Sequence, residues 1–361
     1  MERNLEFIIA DENDFLYSSA DNTGIESECV KLMLNNLKDF PCQIRDAWRL
    51  GADAPIYHNK YSQEITKVLV IGAGNSHLAG FLMKKYAESF AKIPTYAISG
   101  YHLPYPDGNT LVLLVSHSGN SSETISCYME AKKHNARCVV ITGGGKLKQM
   151  AEENQDVLIT IPQNLSAGES MAYLTVPPLL VADSFGLWEI PSGRLLEILE
   201  SVNDVIFCCN EFVRPEENHA KQLAKKITGK TPVILGVEGC MEAVALSWQN
   251  LFNQNAKYPA HANTINNFCY SEIETVNQNN IIIFLRTMCE DSLLRAKISA
   301  LEQMLNQREI AHETLWLMGK SSLAKAYAMY TFGNYISLYL ADFEKKNCLE
   351  SPWADSIKKL V

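Results

Sequence analysis

Short apolar runs that end in glycine or hydroxyl side chains, alternating with helix-patterned segments, constrain this chain more than any other feature. Lys67–Ile71 runs into Gly72-Ala73-Gly74-Asn75-Ser76, Thr110–Val115 into Ser116-His117-Ser118-Gly119-Asn120, and Cys138–Thr142 into Gly143-Gly144-Gly145. Val157–Ile161 is a fourth run, and His77–Ala91 and Glu123–Asn135 between the runs carry helical spacing. Strands of this length alternating with helices predict a parallel sheet in a three-layer α/β sandwich. The texture then repeats. Glu197–Phe212 reads as a connecting helix, His219–Ile227 as a helix, Pro232–Gly236 as a strand and Cys240–Asn253 as a helix. Asn280–Leu285 and Glu313–Leu317 read as strands, and Asp291–Asn306 and Ser322–Asp342 as helices. The halves share an architecture without a clear sequence repeat.

Ahead of them, Glu28–Leu37 and a short segment around Ile44–Leu50, bracketed by Pro41 and Pro55, have helical spacing. The expected organisation is an N-terminal helical arm (1–60), a first sandwich (61–190), a connecting helix (191–215), and a second sandwich with a C-terminal helix and tail (216–361). Two domains suit a chain of 361 residues.

Charge and composition exclude several classes. Lys and Arg number 32 against 41 Asp and Glu, a net −9, which argues against general nucleic-acid binding. The apolar runs fall far short of the ~20 residues that a spanning helix needs. The ten cysteines form no C-x-x-C pair, so a metal site is not expected, and free thiols fit a reducing cytoplasm. Met1–Asp11 carries three acids and no signal-peptide core.

Ser116–Thr124 is the most informative stretch. It places hydroxyls at 116, 118, 121, 122 and 124 between a strand end and a helix start. There the backbone N–H groups are unpaired and the helix dipole is positive, so hydroxyls and amides together make a phosphate cradle without cations. Plain N-capping uses one or two hydroxyls. The expected phosphate set is Ser116, Ser118, Asn120, Ser121 and Thr124, joined by Gly74, Asn75 and Ser76 from the neighbouring Gly72–Gly80 turn. That turn could also pass for a dinucleotide fingerprint. The ribose-binding acid expected ~20 residues on is missing, because Thr95–Ser99 contains no Asp or Glu. No cofactor is therefore expected.

These motifs resemble those of the sugar isomerase (SIS) domain: Ser-x-Ser-Gly-Asn-Ser-x-Glu-Thr after a strand, preceded by a Gly-x-Gly-x-Ser loop. From about residue 38 to 361 the chain resembles the bifunctional phosphoglucose/phosphomannose isomerase family, which has two SIS subdomains. Further stretches carry the likeness: Phe40-Pro41-x-Gln43-Ile44-x-x-Ala47-Trp48, Pro232–Gly236 followed by Ala245 to Trp248, and Asn253-Gln254-Asn255-Ala256-Lys257-x-Pro259. Tyr335-Ile336-Ser337-x-Tyr339-Leu340-Ala341, followed by Pro352 and a terminal Lys pair, completes it. The resemblance implies a phosphorylated sugar as ligand, aldose–ketose isomerase chemistry, and a homodimer with shared active sites. It also implies Lys257 as a retained motif cation near substrate, or as a charge closing a helix.

The family's chemical groups are a Glu base between two Asn, an Arg that steadies the enediolate, and a His from the partner subunit. Here the Glu position is Gln254, the His position sixteen residues on is Tyr270, and the Arg position after Gly168 is Met171. A neutral amide is no general base, and loss of one oxyanion donor costs ~3 kcal/mol. Two readings follow. In the first, the chain is a sugar-phosphate enzyme of isomerase type with rebuilt acid–base groups, Glu272 or His261 as base and Tyr270 as acid; Glu274, Glu169 and His117 are weaker candidates. In the second, it is a non-catalytic sugar-phosphate binder or regulatory protein.

Overall fold

The computed structural model describes residues 5–6, 24–56, 64–166, 168–288, 290–317 and 320–360. The chain forms two compact units. One is Asp39–Leu195; the other joins Met1–Lys38 to Leu196–Val361. The segment expected to be a single arm is divided between them. Strand β1 (Leu5–Glu6) and helix α1 (Glu28–Lys38) belong with the second unit, and α2 (Phe40–Ala52) with the first. Pro41 does not bracket α2 but lies in its first turn, where its missing N–H costs no helical hydrogen bond.

The first unit runs β2 (Lys67–Ile71), α3 (Asn75–Phe90), β3 (Thr95–Ile98), β4 (Thr110–Ser116), α4 (Ser122–Lys133), β5 (Arg137–Thr142), α5 (Gly145–Glu153), β6 (Val157–Thr160) and α6 (Met171–Ser184). Its five strands lie in the order β3-β2-β4-β5-β6, all parallel. β4, with the sequence TLVLLVS, is buried along its whole length, as a central strand covered on both faces must be. Alternate residues Leu69, Ile71, Val112 and Leu114 point to one face and pack with Tyr128 of α4 and Leu147 of α5. α6 contains Pro177 and Pro178, yet every residue from Met171 to Ala182 is buried. Tertiary burial there outweighs the local cost of proline in a helix. Gly51 of α2 leaves no space for a side chain against α6, since a Cβ would lie 2.9 Å from Pro177 Cα.

The second unit runs α7 (Arg194–Cys209), α8 (His219–Ile227), β7 (Thr231–Gly236), α9 (Cys240–Asn255), β8 (His261–Thr264), α10 (Ile265–Tyr270), a 3-10 turn (Glu272–Thr275), β9 (Asn280–Thr287), α11 (Ser292–Gln307), β10 (Ala311–Leu317), α12 (Ser322–Phe343) and α13 (Pro352–Leu360). Its sheet order is β8-β7-β9-β10-β1, again all parallel. The place that β6 fills in the first sheet is taken here by N-terminal residues, with Leu5 paired to Leu315. α12 is buried from Leu323 to Leu340 with few breaks. Gly333 admits the Trp248 indole, whose N–H donates to the Met329 carbonyl at 2.8 Å.

Both sheets reverse their winding, between β2 and β4 in the first unit and between β7 and β9 in the second. In open α/β sheets the crevice outside the carboxyl ends at such a reversal is where ligands bind.

Candidate functional site

In the first unit two turns emerge side by side at the reversal. Ile71 pairs with Leu114, so the Gly72–Ser76 turn and the Ser116–Ser121 turn leave neighbouring strand ends. Gly72 has no room for a Cβ, which would stand 2.6 Å from the Ser76 carbonyl; Gly74 takes φ +57° and caps α3 without a side-chain hydrogen bond. Ser76 is buried and Asn75 partly exposed. α4 begins in the same way: Ser121 occupies the N-cap position, and its side chain makes no capping bond to the first-turn amides. Its Oγ instead stands 3.3 Å from Ser116 Oγ. Two helix starts, both without side-chain caps, thus converge on one crevice, with the positive ends of their dipoles toward it.

The five expected phosphate-loop residues have different duties. Ser116 is buried, and its Oγ accepts the Gly119 N–H at 3.1 Å, which folds the turn. Ser118 is exposed; its Oγ accepts the Asn120 N–H at 3.3 Å, which leaves the hydroxyl hydrogen to donate. Ser121 is half-buried. Thr124 is fully buried, and its Oγ1 has no partner among the described residues. Asn120 turns its Oδ1 to the Lys146 N–H at 3.0 Å, and the Gly119 carbonyl accepts the Leu147 N–H at 2.9 Å, so this pair caps α5. Ser122 exchanges a hydrogen bond with Tyr101 at 3.2 Å.

Glycines behind the loop hold it in place. Gly119, at φ +70°, sits so close to the next turn that a Cβ would lie 1.7 Å from the Gly144 carbonyl oxygen. Gly143 and Gly144 in turn lie against Gln163, and the Gly143 N–H donates to the His117 carbonyl at 3.1 Å. The triple glycine reads in the sequence as the end of a strand; its bracing of the neighbouring loop has no local signal. His117 is half-buried, with Nε2 unpartnered among the described residues, and burial pushes its pKa below the ordinary value. Burial does the same to His77 of α3, against which hydrogen bonding to the Ile98 backbone pulls upward.

The remaining candidates lie in the second unit. Gln254 is exposed near the end of α9, while its neighbour Asn255 is buried and donates to Ser337 Oγ at 2.9 Å. Lys257 adopts φ +52°, and its ammonium donates to the Gln254 carbonyl, closing the C-terminus of α9. Burial lowers its pKa, with Cys348 and Cys29 acting the other way. His261 and Glu272 do come together: His261 Nδ1 is 3.8 Å from Glu272 Oε1. Asn263, which the sequence reading passed over, donates to Glu272 Oε2 at 3.0 Å. It stands two residues beyond His261 on β8, hence on the same side of the strand. Tyr270 is 84% exposed, with the Lys297 ammonium 5.7 Å from its ring centre. In the first unit, Met171 is buried at the start of α6, and Glu169 accepts hydrogen bonds from the backbone and hydroxyl of Ser166. Among the described residues no group of three or more His, Cys, Asp or Glu could hold a metal ion.

The sequence matches the family model of the SIS domain over residues 61–186 and that of the bacterial phospho-glucose isomerase C-terminal SIS domain over 216–361. The bifunctional phosphoglucose/phosphomannose isomerase of Caldicellulosiruptor bescii is 30% identical over 316 residues, which cover 86% of this chain and 93% of that protein. This chain belongs to the bifunctional phosphoglucose/phosphomannose isomerase family. A D-glucosamine-6-phosphate 4-epimerase of Sulfolobus acidocaldarius is 26% identical over 221 residues, 60% of this chain and 64% of that one. The crystal structure of glucosamine-6-phosphate deaminase from Thermotoga maritima shares the fold with a TM-score of 0.66 at 16% identity, covering 89% of this chain and 97% of that one. Among the described residues no helix is long and apolar enough to cross a membrane.

Proposed function

We propose that this member of the family binds a phosphorylated sugar at the β4–α4 turn and carries out an isomerase-type proton transfer with acid and base groups of its own. The carrying observation is that turn: Ser121 leaves the α4 amides without a side-chain cap while Ser118 keeps a hydroxyl hydrogen to donate. An anionic ester oxygen is the partner such a turn satisfies, and the unpartnered buried Thr124 hydroxyl is a further donor beside it. For the proton transfer, Glu272 is the base. Asn263 and His261 orient its carboxylate, and Tyr270 is the acid. A base near C2 of an aldose phosphate takes the C2 proton, the electrons move onto O1, and Tyr270 protonates O1 to give the enediol. The O2 hydroxyl then returns a proton to Tyr270 as the base delivers its proton to C1, which gives the ketose. A homodimer with shared sites belongs to the same reading; exposed Tyr270, Leu293 and Met288 in the second unit offer apolar surface for it.

Thermal unfolding with a panel of hexose 6-phosphates tests binding. Ligand at a hundred times its Kd stabilises by about 2.7 kcal/mol, and Ser118→Ala combined with Ser121→Ala should erase that rise. Retention of the rise in the double variant sinks the phosphate assignment. Transfer of deuterium from solvent to the sugar C2, lost in Glu272→Gln, tests the chemistry. The second reading, a binder without turnover, is favoured by Gln254 and by the buried Met171, which stand where the family resemblance implies a Glu and an Arg. It predicts the same thermal shift with no exchange.

A further inference from the structure

We infer that Cys29 and Cys348 form an oxidisable thiol pair that a hydroperoxide converts to an intrachain disulfide. Cys29 is the second residue of α1, and Cys348 follows α12. The two lie 319 positions apart, yet the Cys348 backbone N–H donates to Cys29 Sγ at 3.4 Å. Ser27 Oγ stands 3.0 Å from the same sulfur, and the thiol reaches the Lys346 carbonyl at 3.9 Å. Asp342, near the end of α12, accepts the Ser27 N–H at 2.9 Å and the Glu26 N–H at 3.2 Å, which fixes the start of α1 against that segment.

The two sulfurs have unequal environments. Cys29 is partly exposed and sits in the first turn of a helix, where the dipole favours a thiolate. Burial raises its pKa, but hydrogen bonds from the Ser27 hydroxyl and from the Cys348 backbone and thiol outweigh that, and the net direction is downward. Cys348 is buried, and its thiol is pushed up to about 12 by burial and by the neighbouring Cys29. Lys257, which closes α9 in the Asn253–Pro259 motif, feels the charge of both sulfurs. A partly exposed thiol whose pKa is drawn down, beside a buried one whose pKa is pushed up, is the arrangement in which the first is oxidised and the second resolves it. Burial instead pushes Cys127 and Cys138 up to about 12.

In the first step the Cys29 thiolate attacks one oxygen of hydrogen peroxide. The O–O bond breaks, hydroxide leaves and takes up a proton, and Cys29 becomes a sulfenic acid. In the second step the Cys348 sulfur attacks the sulfenic sulfur. The S–S bond forms, the S–O bond breaks, and the departing hydroxide carries off the Cys348 proton as water. Two thiols are oxidised by two electrons, and one peroxide is reduced to two waters. The chemistry is independent of the sugar-phosphate reading, but it ends beside Lys257.

The test treats the full chain with graded hydrogen peroxide and maps peptides by mass spectrometry without reduction. The expected result is a Cys29–Cys348 linked peptide within one chain, lighter by two hydrogens than the sum of its parts and lost on dithiothreitol treatment. It should appear at lower peroxide than modification of the exposed Cys42. Cys348→Ser should replace the link by a dimedone adduct on Cys29, and Cys29→Ser should give neither. The melting midpoint of the wild type should rise on oxidation and return on reduction. Linkage of Cys29 to another cysteine or another chain, oxidation of Cys42 ahead of the pair, or a midpoint that falls on oxidation overturns the assignment.

Discussion

The turn after β4 and the turn after β9 occupy the same place in their sheets, directly beside the reversal, and have opposite chemistry. After β4 the helix start is uncapped and ringed by hydroxyls. After β9 the turn is filled by its own carboxylates. Glu290 is wholly buried against Arg286, with Oε2 2.8 Å from a guanidinium nitrogen, and Asp291 caps α11 by accepting the Leu293 N–H at 2.7 Å. Arg286 also lies over the Trp316 ring, 4.1 Å from its centre. The turns after β2 and β7, by contrast, match in backbone. Gly74 and Gly239 adopt φ +57° with ψ −125° and −134°, while Gly72 and Gly236 have no room for a Cβ. The fold therefore repeats the same glycine turn before the helix that follows β2 and β7, and the side chains of the next turn set the two halves apart.

The largest effect that can break this contrast is expected at the filled turn. Glu290→Ala strands a buried guanidinium and should cost about 3–5 kcal/mol in urea unfolding, nearer the lower figure because Glu302 stands 3.8 Å from Arg286. A cost like that of a surface pair, below about 1 kcal/mol, would mean the ion pair does not hold that turn. Gly119→Ala comes next. Left-handed backbone and the overlap with Gly144 should together cost about 2–5 kcal/mol and remove the sugar-phosphate thermal shift. Gly74→Ala, whose Cβ meets open space, should cost only the backbone part, about 1–3 kcal/mol. Equal losses would show that the glycine brace is not what shapes the loop.

Making the open turn like the closed one sharpens the contrast. Ser121→Asp places a carboxylate over the α4 amides and should raise unliganded stability by about 0.5–1 kcal/mol while abolishing the response to sugar phosphate. A variant that still responds would separate the ligand from the helix start. The smallest effect concerns pH and is shared by both units. Burial holds His77, His117 and, with help from Lys226, His219 below the ordinary histidine value. Each stays neutral in the folded chain at a pH where the unfolded chain already binds the proton. Stability is therefore full above the ordinary value of about 6.5 and is lost as pH falls below it. His117→Gln and His219→Gln should each flatten that slope in thermal unfolding. A slope unchanged by both would place the acid sensitivity elsewhere.

Much of this was legible in the sequence because central parallel strands announce themselves. Lys67–Ile71 is a strand with the expected bounds, and Thr110–Val115 and Asn280–Leu285 are strands extended by one and two residues. The edge strands β3 and β8 were not resolved, since half-exposed residues such as Tyr96 and His261 leave no apolar run. α6 carries no clear signature in the sequence, because two prolines argue locally against a helix that tertiary burial enforces. The hydroxyl-rich turn could be read as an anion cradle, but not the division of labour within it. Whether a serine folds the turn, as Ser116 does, or faces outward, as Ser118 does, depends on which amides the folded loop brings near.

By itself the sequence determined the two parallel α/β sheets, the family, and the turn with an excess of hydroxyls, because these rest on local pattern: apolar runs, glycine stops and ordered motifs. Tertiary structure alone decided that N-terminal residues complete the second sheet, that Asn120 serves α5, that His261 and Asn263 converge on Glu272, and that Cys29 meets Cys348. Those pairings join positions far apart in the chain or set by loop shape, and contact energies between such groups come into being only when the backbone has closed around them.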